Sequence, residues 1–237
     1  MLKIEKFVTM SPEQWEMVIE GTRNPKNSWA KMDSEFLYTD PYSGELPYEY
    51  SLGDNDHKLL MNLAKGGPVE AKYRRMMPVW VTVIAPLYWW KEYDTYKVGT
   101  VANSCSTMHK IQEKEFTLDD FSHEHLTDDY SLEDELTYTD GLNDDIYCYT
   151  SLEGLRVICD ILNHNRLMFL ATKNKKYWWQ MIQLLPSSYN QKRTLFLNYE
   201  VLCNIYHSRK NHKLDEWHVF CDWIKELPYS ELITGEQ

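Results

Sequence analysis

Apolar residues in this chain recur in two rhythms, and the rhythm changes several times along its length. The first stretch, LKIEKFV (2–8), alternates apolar and polar side chains, the period of a strand with one face on a core. Helical spacing takes over in SPEQWEMVIEGT (11–22), where Ser11 offers an N-cap oxygen, Pro12 suits the first helical position and Gly21 predicts the stop. RNPKNSWAKMDS (23–34) is polar and rich in turn-forming pairs, so an ordered loop is expected, with Arg23 and Ser28 either tying it down or reaching a ligand. LGDNDHKLLMNLAKGG (52–67) has the pattern of a capped helix that starts at Asp54 or Asn55 and ends at Gly66-Gly67. PVWVTVI (78–84) has the β-branched and aromatic content of a sheet strand, and Ala85-Pro86 ends it and opens a helix carrying Trp89 and Trp90.

From Tyr88 to Lys110 the chemistry shifts within a short distance. An aromatic, charged helical pattern runs to Tyr96, and then Gly99 leads into small and hydroxyl residues: Thr100, Ala102, Asn103, Ser104, Ser106 and Thr107. Two readings fit such a run. Small side chains let the backbone approach a ligand while hydroxyls and amides supply donors for phosphate or ring edges, or they pack one face of a buried helix. Between Glu113 and Asp145 stand thirteen acidic residues against one Lys, too acidic for a core, which predicts a solvated insertion or lid over about 113–145. Beyond it helical spacing is expected to continue to the end, through 151–169, 175–186 and two further segments. The first of these two carries Leu195, Leu197, Leu202 and Ile205 on its apolar side, with Asn198, Asn204 and Arg209 between them.

Composition narrows the picture. A chain of 237 residues buries a sizeable core as one domain, 1–237, interrupted by the acidic insertion. A formal net charge of −11 excludes duplex nucleic-acid binding by phosphate neutralisation, so any anion site is a local exception to the overall field. No apolar run approaches the roughly 18 residues of a membrane span and the N-terminal residues lack a signal-peptide core, so a cytoplasmic protein without membrane partners is expected. The five Cys are scattered without a CxxC pair, which argues against a disulfide framework or zinc site and for small core residues. His123, His125, Glu124 and Asp128 lack a distinctive ligand spacing, so no metal site is expected there. Cys105 near His109 could form a nucleophile pair in principle, although a Cys among small residues more commonly packs.

Two stretches resemble the flavin-dependent thymidylate synthases. Their signature RHRxxSxNExSxR, laid without gaps on YKVGTVANSCSTM (96–108), matches Asn103 and Ser106. Downstream, the family's Leu-Pro, Asn-Ala-Arg, Leu, Asn, Arg and Trp-centred helix find Leu185-Pro186, Asn198, Leu202, Asn204, Arg209 and Trp217 in the same order. The spacing is kept as far as Arg209, with one extra residue before Trp217. The resemblance covers roughly 78–108 and 185–227 and leaves the acidic insertion outside.

The resemblance implies an α+β fold of the thymidylate synthase-complementing type, a small sheet packed with several helices, assembled as a homotetramer. It implies FAD as cofactor, dUMP as the small-molecule nucleotide substrate, and methylation of dUMP to dTMP with methylenetetrahydrofolate as one-carbon donor and NADPH as reductant. Asn198 and Asn204 fall where amides contact the flavin, Arg209 where a guanidinium contacts nucleotide and flavin, and Ser106 where a hydroxyl meets the nucleotide phosphate. Asn103 and Ser104 lie in the same nucleotide-binding stretch, and Lys97 is the one cation left where the family has Arg-His-Arg. No catalytic nucleophile is identified, since the family starts its chemistry from reduced flavin. The departures are Tyr96-Lys97-Val98 for the Arg-His-Arg, Ser104 for the signature Glu, Met108 for its last Arg and Glu200 for the Arg of Asn-Ala-Arg. Each charge-assisted bond contributes roughly 1.5–3 kcal/mol, so several losses weaken an anionic ligand by orders of magnitude unless replaced. Lys97, Lys110, Arg193 and Lys213 are the candidate replacements. The alternative to an enzyme is therefore a homo-oligomeric ligand-binding protein on the same fold whose original catalysis has lapsed or been retuned.

Overall fold

The computed structural model describes residues 1–128 and 150–235. Its first half runs β1 (Lys3–Val8), α1 (Pro12–Arg23), 3-10 turns at Asn24–Lys26 and Trp29–Lys31, β2 (Glu35–Leu37), β3 (Glu49–Ser51), α2 (Asp54–Lys65), a 3-10 stretch (Glu70–Met76), β4 (Pro78–Pro86) and α3 (Leu87–Tyr93). After it come β5 (Val101–Ser104), α4 (Thr107–Lys110), a 3-10 turn (Leu118–Asp120), α5 (Ser151–Thr172), α6 (Lys175–Leu184), β6 (Asn190–Asn198), α7 (Tyr199–Arg209), α8 (Asp215–Lys225) and α9 (Glu231–Thr234). Four strands form a sheet in the order β1-β4-β6-β5, and β2 pairs with β3 as a separate antiparallel ribbon. The α+β class expected from the sequence holds. The chain divides into two compact units, Leu2–Ile84 with Lys91–Ser104 and Lys192–Gln237, and Met1 with Ala85–Trp90 and Cys105–Gln191.

In the larger unit the sheet supplies the core. Val79, Val81 and Val83 of β4 and Leu195 and Leu197 of β6 are buried at alternating positions, while Trp80 and Phe196 meet with ring centroids 5.2 Å apart. Helices α7 and α8 add Leu202, Ile205, Tyr206, Trp217, Phe220 and Ile224, all buried at three- and four-residue steps. Ser11 caps α1 as expected, with Gln14 closing a capping box, but the helix passes Gly21 and ends at Arg23. Arg23 is held there by Asp56, which accepts from its Nε at 2.8 Å and its Nη2 at 2.6 Å. Asp56 also accepts from the Ser34 hydroxyl and the Asp33 and Ser34 amides. Arg23 therefore ties the loop down, its Nη2 reaching the Lys31 carbonyl at 3.1 Å as well. Burial pushes the Asp56 carboxyl up, but hydrogen bonds from Ser34, Asp33 and Arg23 outweigh it and hold the group below its usual range. Helix α2 starts at Asp54 behind Gly53, where a Cβ would come within 2.3 Å of Asp33, and the Asp33 carboxylate caps the Asn55 and Asp56 amides.

The expectation of uninterrupted helix after the insertion fails at 190–198. Thr194-Leu195-Phe196-Leu197 has period two, and these residues form strand β6 with Leu195 and Leu197 inward. The helix begins only after Asn198, whose Oδ1 accepts from the Val201 amide at 3.0 Å.

The smaller unit corrects a second expectation. Its core is Ile111, Phe116, Phe121, Leu155, Cys159, Leu162 and Met181, with Leu118, Leu126 and Tyr189 packed against them. Phe116 and Phe121 belong to the acidic stretch that was expected to stay out of any core, yet they are only 5% and 1% exposed. Glu113, Glu115 and Asp119 are exposed, whereas Asp120 is buried and accepts from the Thr117 amide at 2.9 Å, with the two aromatics packed inward. The Asn163 side chain of α5 fixes this backbone by accepting from the Phe116 amide and donating to its carbonyl, both at 2.8 Å. The rest of the acidic stretch, 129–149, lies outside the described residues. Among the described residues no helix is long and apolar enough to cross a membrane.

Candidate functional site

In the larger unit the chain leaving α3 turns at Gly99, whose φ of +76° suits a residue without a side chain. A Cβ there would meet Val201 Cγ2 at 3.2 Å and Asn198 Nδ2 at 3.3 Å, so Gly99 lets this loop lie directly on the start of α7. The chain continues as β5, an edge strand antiparallel to β6, with Asn103 opposite Thr194 and Ser104 opposite Arg193. All four β5 residues are exposed. Of the two readings of the small-residue run, the buried helix is therefore excluded.

Beside this strand is a cleft of about 280 Å³ lined by Tyr93, Asp94, Tyr96, Lys97, Thr100 and Ala102. Tyr93 and Tyr96 give it an aromatic wall, their ring centroids 6.5 Å apart. Burial, reinforced by the neighbouring Asp94 charge, raises the Tyr93 phenol well above its ordinary value, so it stays neutral. Thr100 Oγ1 donates to the Tyr96 carbonyl at 2.6 Å and so fixes the turn.

Tyr96 is also one corner of a charged network. Arg209, in the last turn of α7, donates from Nε to the Tyr96 hydroxyl and from Nη1 to Glu92 Oε2, each at 2.9 Å. The Trp217 indole donates to the same Glu92 oxygen at 2.9 Å, and His212 Nε2 lies 3.3 Å from it. The guanidinium stands over the Trp217 ring at 4.8 Å and the Tyr96 ring at 5.6 Å. On another side of the cleft Arg193 Nη1 donates to Asp94 Oδ1 at 2.7 Å. Lys97 is exposed and has no acidic partner among the described residues.

The site residues expected from the sequence fall in different places. Lys97 lines the cleft, Asn103 and Ser104 lie on β5, Asn198 caps α7, Asn204 is exposed on α7, and Arg209 is bonded to Tyr96. Ser106 belongs to the smaller unit, where its Oγ caps α4 by accepting from the His109 amide at 3.2 Å. Of the candidate replacement cations, Lys110 is paired with Glu113 in the smaller unit, Arg193 with Asp94 in the larger, and Lys213 is exposed. His123 Nδ1 contacts the Phe121 carbonyl, Glu124 pairs with the Met1 amine and Asp128 with Arg156. Among the described residues no group of three His, Cys, Asp or Glu side chains converges to hold a metal. The sequence reading missed Glu92, Asp94 and His212. Glu92 is 117 residues from Arg209, so no local spacing links the two.

No family model and no curated protein matches this sequence. Solved structures do match in fold. Thymidylate synthase X (ThyX) from Helicobacter pylori, crystallised with FAD and dUMP, superposes with a TM-score of 0.61 at 12% identity, covering 99% of this chain and 98% of that one. A second structure of the Helicobacter pylori flavin-dependent enzyme with FAD and dUMP gives 0.60 at 11% identity, with coverage of 99% and 98%. The UMP/dUMP methylase PolB from Streptomyces cacaoi, bound to 5-Br dUMP, gives 0.60 at 12% identity, with coverage of 99% and 94%. The likeness therefore spans the whole chain and establishes a ThyX-like fold.

Proposed function

We propose that the protein binds a flavin and a uracil-type pyrimidine ligand and methylates the pyrimidine, with dUMP to dTMP as the inherited reaction. In this reading methylenetetrahydrofolate donates the one-carbon unit, NADPH supplies the reducing equivalents, and the chain assembles as a homotetramer. The observation that carries it is convergence. The separate stretches 96–104 and 198–209, on which the sequence resemblance rests, are brought together by β5–β6 pairing, by the approach of Gly99 to Asn198 and by the Arg209–Tyr96 bond.

The cleft's residues suit a planar ring with polar edges. Tyr96 offers aromatic surface, with the buried Tyr93 ring behind it, and Lys97 and Thr100 offer polar atoms at its rim. Lys97, Asn198, Asn204 and Arg209 are the proposed flavin contacts. Asn198 commits its Oδ1 to the Val201 amide, which leaves Nδ2 as the donor toward a ring acceptor. Asn103, Ser104 and Arg209 are the proposed pyrimidine contacts, and Ser106 keeps that role on the sequence resemblance alone. A bound flavin would supply redox chemistry that no side chain here carries.

One observation favours a second reading, a retuned or catalytically lapsed ligand-binding protein on the same fold. Arg209 spends its Nε and Nη1 donors on Tyr96 and Glu92 within the chain. Protein purified without added ligand and titrated with FAD and then dUMP separates the two. The enzyme reading expects a yellow protein, FAD affinity of about micromolar or tighter, and a change in the flavin spectrum when dUMP is added. A colourless protein that FAD does not reconstitute removes the flavin from the account.

A further inference from the structure

Trp217, in the first turn of α8, is fully buried, and its indole donates to Glu92 Oε2 at 2.9 Å. That bond gives the carboxylate at the end of α3 a rigid anchor, since a closely packed ring has no room to change rotamer. The same oxygen accepts from Arg209 Nη1 at 2.9 Å and lies 3.3 Å from His212 Nε2. Arg209 passes the order on. Its guanidinium is pinned at Nη1 by Glu92 and stands over the Trp217 ring at 4.8 Å, which aims its Nε at the Tyr96 hydroxyl, 2.9 Å away. Among the described residues that hydroxyl bonds to Arg209 alone. Tyr96 is half-buried and lines the cleft. Its carbonyl is fixed separately, by Thr100 Oγ1, so what the Arg209 bond sets is the direction of the ring.

An arginine held at one donor samples many rotamers and positions nothing, whereas two donors and a stacked face confine it to one. A lone half-exposed ion pair contributes little for the same reason, but here the carboxylate is already tied to a buried indole. We infer that Glu92 is a positioning residue for the cleft: acting through Arg209, it sets the orientation of the Tyr96 ring against which a planar ligand lies. The inference rests on reading the cleft as a flavin and pyrimidine site, and it adds to that site a residue four positions ahead of the stretch that carries the family signature.

The test is a double-mutant cycle on FAD affinity, read by calorimetry, with Glu92→Gln, Tyr96→Phe and the two combined, each first shown to be folded by circular dichroism. Glu92→Gln keeps the shape of the side chain and an oxygen for Trp217 but removes the charge that holds Arg209. Tyr96→Phe keeps the ring but removes the hydroxyl that Arg209 holds. Each single change is expected to weaken FAD by about five- to tenfold, and the double variant to stay within about twofold of the weaker single one, because both cut the same chain of contacts. Losses that multiply would show that Glu92 acts on the ligand by another route, and they overturn the inference while leaving the flavin reading intact. So does a Glu92→Gln protein with wild-type affinity, even if its melting temperature is lowered. Wild-type protein that binds no FAD defeats the flavin reading and the inference together. Should Glu92→Gln not fold, Glu92→Asp, which keeps the charge but withdraws the carboxylate by one methylene, takes its place in the cycle with the same expected and overturning results.

Discussion

Arg209 shows how a side chain that matches a ligand-binding position can commit part of its donors within its own chain. It holds Tyr96 and Glu92 by hydrogen bonds and covers Trp217, so Arg209→Ala strips Glu92 of its cationic partner and leaves it beside an indole and an imidazole. Hydrogen bonds to charged groups contribute roughly 1.5–3 kcal/mol, so a loss of about 2 kcal/mol in urea-unfolding stability is expected even with no ligand present. Undiminished stability together with weaker ligand binding would instead show that the Glu92 pair contributes little and that Arg209 serves the ligand. The buried Arg23–Asp56 pair makes a pH prediction. The folded-state carboxyl of Asp56 titrates below its unfolded value of about 4, so its contribution is complete above that pH and is lost as pH falls through the lower, folded value. Asp56→Asn should therefore cost about 3–5 kcal/mol at neutral pH, since it leaves Arg23 buried without its counter-ion, and should flatten the acid limb of stability measured between pH 7 and 2. A parallel loss at every pH would remove Asp56 from the acid response. At this scale the sequence is legible where the chemistry is local, as in the Ser11 cap with Pro12 behind it. It is silent where partners are far apart in the chain, as with Glu92 and Arg209.

At the scale of elements, the misread ones are those whose local pattern was outvoted by composition. The acidic stretch after Glu113 carries aromatics in the gaps between its charges, and Phe116 and Phe121 find a core against α5 and α6 that charge counting could not foresee. Phe121→Ala should cost about 3–5 kcal/mol, a shift easily read in a thermal melt, whereas a change of less than about 0.5 kcal/mol would restore the view of this segment as a surface one. Strand β6 stands where the sequence predicts helix because Leu202 and Ile205, four and more residues past its end, extend the apolar sequence. The period of two from Leu195 to Leu197 and the cap at Asn198 mark the change, and a neighbouring strand was needed to give that short period its meaning. Gly99 joins the elements of the cleft. Gly99→Ala adds a Cβ at positive φ and within 3.3 Å of Asn198 Nδ2, so it should lower both stability and ligand affinity, with the affinity loss measured by the same titration used for the wild type. Full retention of affinity would place the ligand away from this turn.

For the whole molecule, likeness to ThyX structures over 99% of the chain at 12% identity means that the architecture persists while most side chains differ. A homotetramer is the proposed assembly, and sedimentation velocity near micromolar concentration should return about four times the chain mass. A monomer would leave the exposed β5 edge and the cleft to be explained without a partner copy. What the sequence alone determined is what short-range physics writes into it. Apolar periodicity gave the strands β1 and β4 and the helices α1, α2, α5 and α6, cap chemistry placed several of their starts, and the order of Asn198, Asn204 and Arg209 pointed to the fold. The tertiary structure decided which charges are available. Whether an arginine is a ligand's partner depends on which carboxylate lies within 3 Å of it, and Glu92 and Asp94 reach Arg209 and Arg193 only because β5, β6 and α7 are folded onto the turn after α3. Electrostatic pairing falls off over distances of ångströms in space, whatever the separation along the chain, so the state of this cleft could be read only from the folded molecule.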